Sequence, residues 1–162
     1  DEERAARIIE NVFERPDPTR VVEAQPFFMR VVLDALQRHN RFDLCLKLLH
    51  DRWGKRMVQR GATSTFEEWG YNGSWRNGNY SGFMRSQSHA WSAWPAAFLI
   101  RGLAGLKIIT PGGRTVALNP QRTEFDYELN LSFPAGDIRI RWQKQRLTVE
   151  ADPGIEICDS VS

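Results

Sequence analysis

The stretch Phe125–Ile157, FDYELNLSFPAGDIRIRWQKQRLTVEADPGIEI, decides the fold class. Phe125, Tyr127, Leu129, Leu131 and Phe133 alternate with polar residues, and so do Ile138, Ile140 and Trp142. Leu147, Val149 and Ala151 continue the pattern, followed by Ile155 and Ile157. Successive side chains of a strand point to opposite faces, so strict alternation predicts strands with one face buried. Pro134-Ala135-Gly136, Lys144-Gln145 and Asp152-Pro153-Gly154 read as the turns between them. With Pro111-Gly112-Gly113 upstream, residues 105–162 are expected to form an antiparallel meander, as in half of a β-sandwich.

Upstream of Gly105 the apolar period lengthens to that of a helix. Ala5, Ala6, Ile9, Val12 and Phe13 are spaced for one helix, which stops at Arg15-Pro16-Asp17-Pro18. A second opens at Pro26, a good first-turn residue, and ends near His39-Asn40. Its expected buried face carries Phe28, Val31, Val32, Ala35 and Leu36. A third spans residues 42–60, with Phe42, Cys45, Leu46, Leu49, Trp53 and Met57 on one stripe. A fourth follows His89, takes Pro95 in its early turns, and ends between Gly102 and Gly105. The fold class is therefore α then β, with helices over residues 1–104.

Composition narrows the function classes. The 162 residues, 41% of them hydrophobic, suit one ordinary domain or two small ones. A formal charge of +2, with acids interleaved among the bases, argues against nucleic acid. There is no apolar run long enough to span a membrane and no signal-peptide pattern. Cys45, in a Leu-rich helix, and Cys158, at the end of a strand, read as buried thiols rather than a bridge. The opening DEERAARII, without an initiator Met, reads as a processed product or a piece cut from something longer.

Between the third and fourth helices lies a segment of different character. Gly61–Trp69 reads GATSTFEEW, a Gly/Asn/Ser/Tyr/Trp-rich loop follows, and SQSHAWSAWPAAFL completes it at Leu99. Four of the six tryptophans, Trp69, Trp75, Trp91 and Trp94, fall here, together with Glu67, Glu68 and His89. Carboxylates among indoles and hydroxyl donors suit a carbohydrate, whose apolar faces stack on rings and whose hydroxyls need many polar partners.

The run Gly61-Ala62-Thr63-Ser64-Thr65-Phe66-Glu67-Glu68-Trp69 resembles the small-polar, aromatic, Glu, x, Trp motif of bacterial α-L-rhamnosidases of the six-hairpin type. Ser88-His89-Ala90-Trp91-Ser92-Ala93, followed by Pro95-Ala96-Ala97-Phe98-Leu99, is similar to that family's next signature. Gly105-Leu106-Lys107, Pro111-Gly112, Leu118-Asn119-Pro120 and Gly136-Asp137-Ile138 leading to Trp142 resemble its terminal β-sandwich. The likeness covers nearly the whole chain.

The resemblance implies the last helical hairpins of an (α/α)₆ barrel over residues 1–104, then a β-domain over residues 105–162. It further implies inverting hydrolysis of a terminal α-L-rhamnose, with Glu67 as general base and His89 hydrogen-bonding the sugar. The general acid would belong to an earlier hairpin, and the rest of the barrel would be this segment's partner. Another six-hairpin glycosidase or uronyl hydrolase, or a carbohydrate-binding module without chemistry, are the alternatives.

Physical chemistry limits the roles. Inversion needs two carboxyl groups roughly 6.5–9.5 Å apart with water between them. Adjacent Glu67 and Glu68 diverge and cannot be that pair, so at most one is catalytic and the other is a solvated or anchoring residue. Trp69, Trp75 and Trp91 could stack on sugar or fill the core, whereas Trp94, four residues from Phe98, reads as core. His39 and His50 read as structural, and no metal-ligand spacing or cofactor motif is present.

Overall fold

A computed structural model of the chain describes residues 1–17, 19, 23–69 and 86–158. They fall into two units, Asp1–Pro95 and Ala96–Ser162.

The first unit is helical. Helix α1 (Glu2–Ile9) starts at an Asp1 cap and widens into a π turn over Glu10–Glu14. Helix α2 (Pro26–Arg38) has Pro26 in its first turn, where no intrahelical N–H is lost. Helix α3 (Phe42–Leu49) passes into a π turn at His50–Gly54 and closes with a 3₁₀ turn at Val58–Arg60. The expected third helix is thus one path with three pitches, and its middle, around Trp53, is the widened part.

Helix α2 buries a different face from the expected one. Pro26, Met29, Leu33 and Leu36 are its buried residues, whereas Phe28 is 55% and Val31 53% exposed. Both stripes are apolar, so periodicity cannot choose between them. Packing against α3 does, and the Cys45 thiol lies 3.5 Å from the Leu33 carbonyl oxygen. Burial there pushes the Cys45 thiol pKa up to about 12, so the thiol stays protonated.

The second unit opens with the body of helix α4 (Trp94–Ala104). Gly105 ends it in the left-handed region (φ +58°), and the Asn119 N–H then donates to the Ala104 carbonyl at 3.0 Å. Strands β3 (Tyr127–Phe133), β4 (Gly136–Gln143) and β5 (Arg146–Ala151) form an antiparallel sheet in the order expected from the alternation. Tyr127 faces Trp142, Leu129 faces Ile140 and Leu131 faces Ile138. Ile138, Ile140 and Trp142 are buried, while every residue of β5 is exposed. The second sheet departs from a pure meander. Strand β2 (Thr115–Ala117) pairs antiparallel with β1 (Lys107–Ile108) but parallel with β6 (Glu156–Cys158). The last strand therefore joins a strand forty residues earlier rather than extending the hairpins. No described helix is long and apolar enough to cross a membrane.

Candidate functional site

The motif residues of the first unit lie on two irregular segments, residues 64–69 and 86–92, which pair with each other. The Glu67 N–H donates to the Ser86 carbonyl at 2.9 Å, and the His89 N–H to the Thr65 carbonyl at 2.7 Å. Side chains supply the remaining ties. The Thr65 hydroxyl donates to the His89 carbonyl at 3.0 Å, and the Ser64 and Ser92 hydroxyls donate to the carbonyls of Gln87 and Phe66. Ser92 is completely buried, so its bond to Phe66 satisfies two groups that water cannot reach.

This pairing brings Glu67, His89 and Trp91 together. One carboxylate oxygen of Glu67, Oε2, accepts the Ser86 N–H at 3.0 Å. The Trp91 indole N–H donates to the Glu67 carbonyl at 3.2 Å, and the ring stacks on the His89 imidazole with centroids 3.8 Å apart. His89 is half-buried, and no described group hydrogen-bonds its Nδ1. Trp91 is 41% exposed.

Trp69 is placed differently. Its ring is 6% exposed and meets the edge of Trp53 at 4.7 Å, with the planes perpendicular. Its indole N–H donates to the Ala24 carbonyl at 2.6 Å, and its backbone N–H to the Gln25 side-chain oxygen at 3.2 Å. The buried ring and both donors serve the protein, which suits an anchor better than a sugar platform. Glu68 is half-buried with Oε2 shielded from solvent, so it is not a solvated surface residue. Trp75 lies outside the described residues.

Several residues that hold the site carry no motif. Trp53, on the π turn, donates its indole N–H to the Ser92 carbonyl at 2.8 Å while touching Trp69, and so spans both segments. Gln25 and Ala24 precede α2 and grip Trp69. Glu23 beside them bridges Arg52 at 3.2 Å and Arg56 at 2.8 Å. Burial lowers the Arg52 pKa against the opposing pull of Glu23, yet a guanidinium remains charged. Arg56 also sits 5.7 Å over the Trp69 ring. The signal in the sequence was weak: Trp53 looks like any core aromatic, and Glu23-Ala24-Gln25 like any linker. Trp94, read as core, is half-buried under the Arg30 guanidinium at 4.4 Å.

A cleft of about 560 Å³ between α1 and the Arg38–Arg41 turn is lined in part by Arg41, which is paired with Glu14 at 2.6 Å and with Asp43 at 2.9 Å. Among the described residues, no three His, Cys, Asp or Glu side chains are grouped to hold a metal ion.

No protein-family model and no curated protein sequence matches the chain. Its fold is similar to part of the crystal structure of Streptomyces avermitilis α-L-rhamnosidase complexed with L-rhamnose, with a TM-score of 0.63 and 23% identity. The match covers 77% of this chain, and the chain spans 13% of the length of that enzyme. At that identity the likeness establishes a shared fold, helices followed by sheets.

Proposed function

We propose that this chain is the C-terminal part of an inverting α-L-rhamnosidase. In this reading residues 1–104 are the last helices of an (α/α)₆ catalytic barrel and residues 105–162 a terminal β-sandwich domain. Glu67 is the general base. The observation that carries the reading is the Glu67–His89–Trp91 cluster, built on a fold shared with a rhamnosidase.

The chemistry follows from the cluster. The Ser86 N–H occupies Glu67 Oε2, which orients the carboxylate and leaves Oε1 to meet a water. As the water oxygen bonds to the anomeric carbon, its proton passes to Glu67 and the glycosidic C–O bond breaks. The leaving oxygen takes its proton from an acid elsewhere in the complete protein. His89, half-buried beside Trp91, would hydrogen-bond a sugar hydroxyl, and the exposed part of Trp91 would pack against the sugar ring. Trp69 serves this site by fixing the end of the Glu67 segment.

The test is hydrolysis of an aryl α-L-rhamnoside by the complete protein and two variants. Glu67→Gln keeps the shape and removes the basic oxygen, so kcat should fall by roughly 10²- to 10⁴-fold with a smaller change in KM. Glu68→Gln should be mild. If Glu68→Gln alone abolishes turnover, the base has been assigned one residue too early. If neither matters, the segment binds carbohydrate without chemistry.

A further inference from the structure

Phe27 is an exposed aromatic residue of the first unit that the proposed catalysis does not use. It stands in the first turn of α2 with 62% of its surface exposed, although its neighbours Pro26 and Met29 are buried. Its ring centroid lies 5.2 Å from that of Trp91, and the two planes meet at 56°. Trp91 in turn stacks on His89 at 3.8 Å and is tied to Glu67 through its indole N–H. The three rings thus make a row that begins at the polar pair and ends in an apolar corner. Exposure rises along it, from half-buried His89 through Trp91 at 41% to Phe27 at 62%. The nearest cation on α2, Arg30, is stacked over Trp94.

A polar end and an apolar corner match one kind of sugar better than another. A 6-deoxy hexose has hydroxyls along one edge and a methyl group where an ordinary hexose has a hydroxymethyl. With the hydroxyls at His89 and Glu67, the methyl can sit against Phe27 and Trp91. A hydroxyl in that position would leave water for a phenyl ring that offers no hydrogen bond. We infer that Phe27 is a specificity-determining residue: with Trp91 it takes the methyl of a 6-deoxy sugar and disfavours the 6-hydroxy counterpart. This rests on the rhamnoside reading of the same site.

The experiment compares aryl α-L-rhamnoside with aryl α-L-mannoside, the same ring bearing a 6-hydroxyl, as substrates of the complete protein. One methyl in an apolar pocket is worth roughly 10-fold or more in kcat/KM. Phe27→Ala should lower kcat/KM for the rhamnoside by about that factor and for the mannoside by much less, so that the preference collapses. Phe27→Leu, which keeps an apolar contact, should restore most of it. Phe27→Tyr, which brings a hydroxyl to the corner, should move the preference toward the mannoside. The ring is mostly exposed, so Phe27→Ala should also melt close to wild type. Equal losses on the two substrates, or no loss on either, would overturn the inference while leaving the rhamnoside reading intact. Absence of Glu67-dependent hydrolysis by the wild-type protein would overturn both, and that result is read before any Phe27 variant is made.

Discussion

The two units satisfy their backbones by different means. In Ala96–Ser162 the main chain largely pairs with itself: β3, β4 and β5 exchange ladder bonds along their length, and side chains decide only which face is inside. In Asp1–Pro95 the segments 64–69 and 86–92 have only a few main-chain bonds between them. Hydroxyls of Ser64, Thr65 and Ser92, indoles of Trp53, Trp69 and Trp91, and the Gln25 amide complete the work. A sheet built on pattern tolerates exchange of one apolar residue for another. A site built on individual donors does not.

Truncation of the cores should show this most strongly. Trp53→Ala removes a buried ring and the donor to Ser92, and should cost about 3–5 kcal/mol together with the activity of the complete protein. Ile140→Ala, in the centre of β4, should cost a comparable ~2–5 kcal/mol. The conservative changes separate the units. Trp53→Phe leaves the Ser92 carbonyl without its buried donor and should still cost about 1–3 kcal/mol. Ile140→Val should cost only ~0.5–1.5 kcal/mol. Denaturant titration of the four variants measures the difference, and equal penalties for Trp53→Phe and Ile140→Val would erase the contrast.

Two glycines give a smaller and cleaner comparison. Gly61 in the first unit and Gly105 in the second both sit at positive φ, +79° and +58°. A Cβ on Gly61 meets no atom within 4 Å, whereas one on Gly105 would fall on the Asn119 carbonyl. Gly61→Ala should therefore cost only the left-handed conformation, about 1 kcal/mol, and Gly105→Ala distinctly more, because backbone must move. Similar melting temperatures for the two variants would mean that the Gly105–Asn119 approach can relax freely.

These contrasts explain what the sequence revealed and what it hid. Alternation at Tyr127–Phe133 and Ile138–Trp142 located two strands and their buried face, because a strand's pattern is local. The parallel partner of β6 was not legible, since a three-residue strand carries no mark of which distant strand it joins. Nor was the buried face of α2, where two apolar stripes compete and α3 decides. At the candidate site, Glu67, His89 and Trp91 stood out by residue type near one another in the chain. Gln25, Phe27 and Trp53 reach the same place from other elements and have ordinary neighbours, so nothing local distinguishes them.

Surface charge is where the two units should differ least. On the first, Asp51 meets Lys55 at 2.6 Å, Lys47 at 3.1 Å and His50 at 3.3 Å, and the lysine ammonium groups hold its carboxyl well below the usual carboxylate range. On the second, Glu128 meets Arg141 at 3.2 Å and Arg139 at 3.5 Å across the β3–β4 pair. All these groups are partly solvated, so Asp51→Asn and Glu128→Gln should each cost no more than about 1 kcal/mol at neutral pH. Because folding depresses the Asp51 pKa, its contribution is present above the unfolded value, about 3.9, and is lost as pH falls through the lower folded value. The gap between wild type and Asp51→Asn should accordingly be fullest near pH 6–7, narrow below about pH 4, and shrink in high salt. A penalty for Asp51→Asn that persisted unchanged at pH 2 would mean that the side chain stabilises the π turn by its hydrogen-bonding shape rather than its charge. That outcome would extend to the solvent face of the first unit the dependence on individual side chains seen at its site.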